Sequence, residues 1–354
     1  MSSSPTNPSG SAPEETSVAG QDAGGQRIGR RILLGVVFGM LVYALLVLWG
    51  DVAGMRRALS DIPWYLLPIA CGLSFANYVI RFARWERYRT LLGISLTRKT
   101  SFLIYLSGLA LTVSPGKMGE TFKSWLIKRV DGTPVHKSAP IVVAERFTDL
   151  LGFLILVAVG GIASEPEYVW VFWATLGLCL VLLVLAGSRT VARLAVRVMQ
   201  SLPVAKRLAS RVEGAFESTR VLLAPRELLG PTLVSTIGWG CECTAFWLIA
   251  RELSPTGLPY LFAVFTFALS AVAGAVLIIF PGGLGVTEAS MGALLEREYV
   301  AAGLTAEVAR ANAFSATILI RLCTLWFAVG VGLVATSLVT RETAVAPNAP
   351  EPHP

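Results

Sequence analysis

Histidine and charge are what this sequence has least of. Two histidines, His136 and His353, occur in 354 residues, both in or beside polar segments, which argues against a histidine-based triad or a zinc site. Charged residues make up 15% against 54% apolar, where a soluble domain carries about 25% charged, and the mean hydropathy is +0.64. That excludes most soluble enzymes, and it turns the net charge of +7 into a statement about membrane orientation rather than about a nucleic-acid partner. The five cysteines, Cys71, Cys179, Cys241, Cys243 and Cys323, all fall inside apolar runs, so they read as small core residues and not as a secreted disulfide scaffold. Cys241 and Cys243 stand two apart, and on a helix that spacing points them to different faces. No catalytic constellation, metal or cofactor is expected, and no nucleic acid.

Residues 1–26 lack Lys and Arg and are rich in Ser, Pro and Gly, a composition that cannot bury enough apolar surface to order itself. Residues 1–30 and 341–354 therefore read as disordered tails around a membrane domain spanning 31–340. Apolar runs at 32–50, 64–80, 139–162, 169–186, 233–250 and 311–339 approach the roughly 20 residues that a bilayer requires. Two others, 101–113 and 258–280, stop at Pro-Gly motifs and read as arms of re-entrant hairpins, although the second is long enough to span. The expected fold is all-α, with about six to eight transmembrane helices. Basic residues cluster at 81–99, 117–137 and 188–228, and Lys and Arg favour short cytoplasmic loops, so both termini are expected in the cytoplasm. Arg56 and Arg57 run against that pattern. Arg189, Arg193 and Arg197 recur every four residues opposite Val191, Leu194, Ala195 and Val198. This predicts a basic amphipathic helix on the inner leaflet.

The chain also resembles itself. Pro115-Gly116-Lys117-Met118-Gly119 and Pro281-Gly282-Gly283-Leu284-Gly285 share the pattern P-G-x-(apolar)-G at an offset of 166 residues. An arginine follows in the next span of each half, Arg146 and Arg321. Three spans lie between the motifs, and an odd number inverts the second half (about 229–340) relative to the first (about 31–186), with 187–228 as the connecting loop. Glycines there allow φ > 0, and a turn feeding a helix presents free N–H groups to an anion. The alternative is a turn that only lets the chain fold back.

Charges inside the spans cost at least a few kcal/mol each and are normally functional or paired. Glu145, Arg146 and Asp149 lie within about one helical turn, so a local ion pair is possible. Arg321 needs a partner from elsewhere, with Glu242, Glu288 or a bound phosphate as candidates. Glu120 and Glu288 also suit the first turn of a helix. Asn77, Arg81 and Arg84 at i, i+4 and i+7 share one face, where the arginines either grip a lipid phosphate or snorkel to the interface. Lys117 and Lys123 flank the first hairpin, to draw in a head group or to anchor the loop.

Four segments in series carry a family resemblance: Asn77 to Trp85 (Asn-Tyr-Val-Ile-Arg-Phe-Ala-Arg-Trp), Ser114 to Glu120 (Ser-Pro-Gly-Lys-Met-Gly-Glu), Glu145-Arg146-Phe147-Thr148-Asp149, and Phe280 to Ala289 (Phe-Pro-Gly-Gly-Leu-Gly-Val-Thr-Glu-Ala). Across roughly 30–340 the chain resembles the lysylphosphatidylglycerol synthase transmembrane region, a flippase-like membrane family. The resemblance implies a prokaryotic plasma membrane protein that moves an anionic phospholipid or a polyprenyl-phosphate-type carrier between leaflets. The synthase members carry a soluble aminoacyl-transferase domain after the membrane part; a Pro-rich tail follows here, so synthase activity is not expected. Glu145, Asp149 or Glu288 would carry any coupling proton. A membrane scaffold of a lipid-glycan pathway and a carboxylate-based lipid-modifying enzyme are the competing readings. The lipid and the oligomeric state are not fixed by the sequence.

Overall fold

The computed structural model describes residues 56–57, 60, 62–113, 122–161, 166–188, 190–191, 193–194, 197, 206–276 and 283–345. All regular structure among them is helical. The expected span at 32–50, the N-terminal tail, residues 346–354, the first Pro-Gly motif (Pro115, Gly116, Lys117, Gly119 and Glu120) and the start of the second (Pro281 and Gly282) lie outside the described residues, while 341–345, expected in the C-terminal tail, are helical. In chain order the helices are α1 (Leu66–Leu91), α2 (Arg98–Ser107), α3 (Phe122–Asp131), α4 (Val135–Ser138), α5 (Pro140–Gly161), α6 (Val169–Gly187), α7 (Lys206–Leu222), α8 (Pro225–Ala250), α9 (Tyr260–Val276), α10 (Val286–Ala301), α11 (Ala306–Arg321) and α12 (Phe327–Val345). A π turn, Leu322–Trp326, joins α11 to α12.

Three stretches are long and apolar enough to cross a membrane: Leu66–Leu91, Pro225–Leu253 and Ala306–Arg341. Val169–Leu185 and Tyr260–Ala275 are shorter apolar helices. With α5, whose 22 residues extend about 33 Å at 1.5 Å per residue, they form a helical membrane bundle. Helix α8 is its hub, packing on α1, α5, α9 and α11. Exposed Trp170, Trp173, Val181 and Val184 on α6 suit a helix facing hydrocarbon rather than water.

The sequence pattern ends the second span at residue 80, but α1 continues to Leu91. Its buried residues Leu66, Ala70, Ser74, Asn77, Tyr78, Arg81, Arg84, Trp85 and Tyr88 keep a 3–4 residue spacing, so one stripe runs into the bundle. That stripe turns polar half way along, because other helices supply partners for the charges. The expected loop helix lies partly within the described residues: 190–191, 193–194 and 197 are helical with Arg193 and Arg197 exposed. A further helix of the same loop, α7, docks on α4 and α5.

The first short arm is α2 followed by a 3-10 turn, Gly108–Leu111. Ten helical residues reach only about 15 Å, half the hydrocarbon thickness. This arm lies against α12, where a Cβ on Gly332 would fall 2.1 Å from the Ala110 nitrogen. At the second arm, α9, Gly283 packs so closely on the helix that a Cβ on it would sit 3.0 Å from the Gly274 carbonyl oxygen. Gly283 has φ +72° and Gly285 φ +89°, which realises the left-handed turn read from the motif. Open space surrounds the Gly285 Cα, so an alanine there meets backbone strain alone. Gly285→Ala is expected to destabilise the protein by about 1–2 kcal/mol, read as a lower melting temperature in detergent.

Candidate functional site

Two apolar clusters fill the bundle, and the buried polar residues collect between them. The first holds Leu66 and Ala70 of α1, Phe153, Leu156 and Val157 of α5, and Cys243 to Ala250 of α8 with Leu253 just beyond it. The second holds Tyr78 to Tyr88 of α1, Ile141 to Phe147 of α5 and much of α2 and α3. Near that junction lie Asn77, Arg81, Arg84, Lys123, Glu145, Thr148, Asp149, Ser235 and Glu242, each no more than 5% exposed.

Asp149 is the centre of this group. Its Oδ2 accepts from Arg81 Nη2 at 2.6 Å and its Oδ1 from Arg84 Nη1 at 2.7 Å, from Ser235 Oγ at 3.1 Å and from Trp239 Nε1 at 3.0 Å. Arg146 Nη1 lies 3.4 Å from the same carboxylate. Arg84 Nη1 also donates to Thr148 Oγ1 and to Ser235 Oγ, and its Nη2 stands 3.9 Å from Glu145 Oε1. Lys123 donates to Glu145 Oε2 and holds its ammonium over the Trp85 ring at 4.8 Å, while Arg81 covers Trp239 at 4.5 Å. Such cation–π contacts favour a charge withdrawn from water. The helices close around this network because Gly238 lacks a side chain: a Cβ there would meet Asn77 Oδ1 at 2.7 Å and Arg81 Cγ at 2.9 Å.

A further ion pair joins α10 and α11. Arg321 Nε donates to Glu288 Oε1 at 2.6 Å, and Glu288 Oε2 accepts from the Gly285 amide at 2.6 Å. Glu288 therefore caps α10 and neutralises Arg321 at once. The N–H that the sequence pattern offered to an anion at Gly285 is occupied by the protein's own carboxylate. Between the two groups, Asn77 Nδ2 donates to Glu242 Oε1 at 2.5 Å, and Glu242 interacts electrostatically with Arg81, Arg321 and Asp149. One helical turn beyond Arg321, Tyr78 Oη donates to the Thr324 carbonyl in the π turn at 3.0 Å.

The structure thus brings together Asn77, Arg81, Arg84, Glu145, Arg146 and Asp149 from the sequence pattern, and separately Gly283, Gly285, Glu288 and Arg321. Snorkelling does not describe Arg81 and Arg84, whose side chains are 6% and 0% exposed. The local pair of Arg146 with Asp149 forms, although Arg146 is one-third exposed and sits at the edge of the network. Of the three candidate partners for Arg321, Glu288 is the one that meets it. Lys123, read from sequence as flanking the first hairpin to draw in a head group or to anchor the loop, is a buried member of the network. Ser235 and Trp239 were not connected to it, and Glu242 was read as a candidate partner of Arg321 alone; their shared signal is the spacing i, i+4, i+7 on one face of α8.

The chain is similar to proteins from archaea and bacteria. A UPF0104 membrane protein of Methanothermobacter thermautotrophicus is 23% identical over 323 residues, covering 86% of this chain and 92% of that one. The inner membrane protein YbhN of Escherichia coli is 24% identical over 292 residues, covering 78% and 84%. The UPF0104 membrane protein PH1989 of Pyrococcus horikoshii is 24% identical over 329 residues, covering 82% and 92%. The family described as lysylphosphatidylglycerol synthase TM region matches residues 32–332, most of this helical membrane protein, and the chain belongs to that family.

Proposed function

We propose that the protein moves an anionic lipid head group, of a phospholipid or of a polyprenyl-phosphate-type carrier, between the leaflets of a prokaryotic plasma membrane. One observation carries the reading. Arg81 Nε, Arg84 Nε and Nη2 and Arg321 Nη2 are buried and have no hydrogen-bond acceptor among the described residues. A buried donor left unmade costs about 1–3 kcal/mol, more when charged, and phosphate oxygens are the acceptors that guanidinium groups fit best. Four cations, Arg81, Arg84, Lys123 and Arg146, stand against three carboxylates, Glu145, Asp149 and Glu242, so the charge balance of the network also favours an anion. In this reading the halves about 31–186 and 229–340 are inverted repeats with re-entrant arms, both termini are cytoplasmic, and Arg146 at the rim receives the head group first. Pro115, Gly116, Lys117, Gly119, Glu120, Pro281 and Gly282 belong to the proposed head-group site through their motifs.

The test uses liposomes containing the purified protein and a trace of fluorescent phosphatidylglycerol, with an impermeant quencher reading the outer leaflet. The probe is expected to exchange faster than in protein-free vesicles. The double variant Glu288→Gln, Arg321→Gln removes one charge of each sign and is expected to remain folded. Its rate falls about ten- to a hundredfold, the equivalent of one charged hydrogen bond. Exchange no faster than in protein-free vesicles would refute the reading.

A further inference from the structure

Every buried acid of the site except one is matched to a cation. Asp149 is bound by Arg81 and Arg84, Glu145 by Lys123, and Glu288 by Arg321. Glu242, 4% exposed, has no ion pair among the described residues and takes its hydrogen bond from the neutral amide of Asn77. The charged and titratable groups around it are Tyr78 and Arg81 on α1, Asp149 on α5, Arg321 on α11, and Cys241 and Cys243 on its own helix. The two arginines among them are already held by Asp149 and Glu288.

Asn77 adds an independent observation. The residue is fully buried, its Nδ2 donates to Glu242, and its Oδ1 has no donor. A carboxylate cannot supply one. A protonated carboxyl can, because an acid and an amide form two parallel bonds, N–H to C=O in one direction and O–H to C=O in the other. The orphan acceptor beside the acid is what protonation of Glu242 would satisfy.

We infer that Glu242 is a proton-binding site, and that its proton travels with the anionic head group. This rests on the translocation reading. A proton from water on one face adds to the free carboxylate oxygen of Glu242, its O–H turns to Asn77 Oδ1, and the same proton returns to water on the other face; no other bond changes. While the proton is bound, Arg81 and Arg321 face one negative charge fewer, so a monoanion enters where Glu242 opposed it. Proton and monoanion together carry no net charge through the low-dielectric interior, where an isolated charge is costly.

The experiment uses the same liposomes with a one-unit pH gradient and the membrane potential clamped. One proton per monoanion shifts the distribution of fluorescent phosphatidylglycerol between leaflets by up to about tenfold per pH unit, and a protonophore abolishes the shift. Glu242→Gln copies the protonated acid, since its amide can donate to Asn77 Oδ1. In that variant the ratio of distributions with and without the gradient is expected to fall to one. A second readout does not need lipid movement: infrared difference spectra of the purified protein between two pH values. A carbonyl band of a protonated carboxyl is expected in the wild type, absent in Glu242→Gln and shifted in frequency in Asn77→Ala. Wild-type exchange that ignores the gradient, or a gradient response unchanged in Glu242→Gln, overturns the coupling and leaves translocation standing. If wild-type vesicles move no probe, translocation and the coupling built on it both fall. The infrared band then decides the proton site by itself, and its persistence in Glu242→Gln would refute that too.

Discussion

Asp149→Asn is expected to be the most damaging isosteric change in the protein, costing about 3–5 kcal/mol, the usual penalty for leaving a buried charge without its partner. Asparagine keeps the shape and one oxygen of the carboxylate, so packing is preserved and the lost charge is isolated. The wild-type carboxylate receives hydrogen bonds from Arg81, Arg84, Ser235 and Trp239 and lies 3.4 Å from Arg146. With it neutralised, the nearest remaining acid to Arg84 is Glu145, which is 3.9 Å from Nη2 and already bound by Lys123. Typical domains hold 5–15 kcal/mol in all, so the variant is expected to lose much of its folded yield and to melt far below the wild type in detergent. Combining Asp149→Asn with Arg81→Met removes one of the stranded cations, and because the two residues touch, their effects are not additive. The double variant should recover part of the loss. A melting temperature for Asp149→Asn within a degree or two of wild type would show that the network contributes little to holding α1, α5 and α8 together.

Much of this site can be read from sequence through helical spacing alone. Asn77, Arg81 and Arg84 recur on one face of α1, and Glu145, Arg146 and Asp149 within a turn or so of α5, so each row is visible in a window of eight residues. Which row meets which is invisible there: Arg81 and Asp149 are 68 residues apart and Asn77 and Glu242 are 165 apart. The sequence rule that charges end a span placed a boundary near residue 80. It failed because the rule prices a charge against lipid, whereas Arg81 and Arg84 are priced against Asp149. Lys123 was misread for a related reason. A lysine beside a Pro-Gly motif resembles an interfacial anchor, and nothing local reveals that Trp85 from α1 and Glu145 from α5 wait to receive its ammonium. The positive-φ glycines of the second motif were legible because backbone sterics are local. Capping of α10 by Glu288 was legible as a possibility, and its second role with Arg321 required the tertiary contact.

Gly238→Val tests whether the polar network depends on the close approach of α8 and α1. The helices meet where residue 238 presents no side chain, and the first atom of any larger residue would lie 2.7 Å from Asn77 Oδ1 and 2.9 Å from Arg81 Cγ. Neither neighbour is free to give way. Asn77 is tied to Glu242 and Arg81 to Asp149, and Arg81 also covers the Trp239 ring from the adjacent position of α8. Relief of the clash must therefore separate the helices or break the Asn77–Glu242 bond. Overpacking costs about 1–3 kcal/mol, and a buried carboxylate stripped of its one hydrogen bond adds a similar amount. The variant is expected to melt at a temperature between those of wild type and Asp149→Asn, and to shift the infrared band of protonated Glu242 in frequency as Asn77→Ala does, since the amide that would receive its O–H has been pushed aside. Gly240, two residues on, has no neighbour within 4 Å of the same atom. Gly240→Val adds the same bulk to the same helix without the contact, so it is expected to stay close to wild type in both measurements. If the two variants behaved alike, the damage would come from helix propensity, and the close packing of α8 on α1 would not be what positions the buried charges.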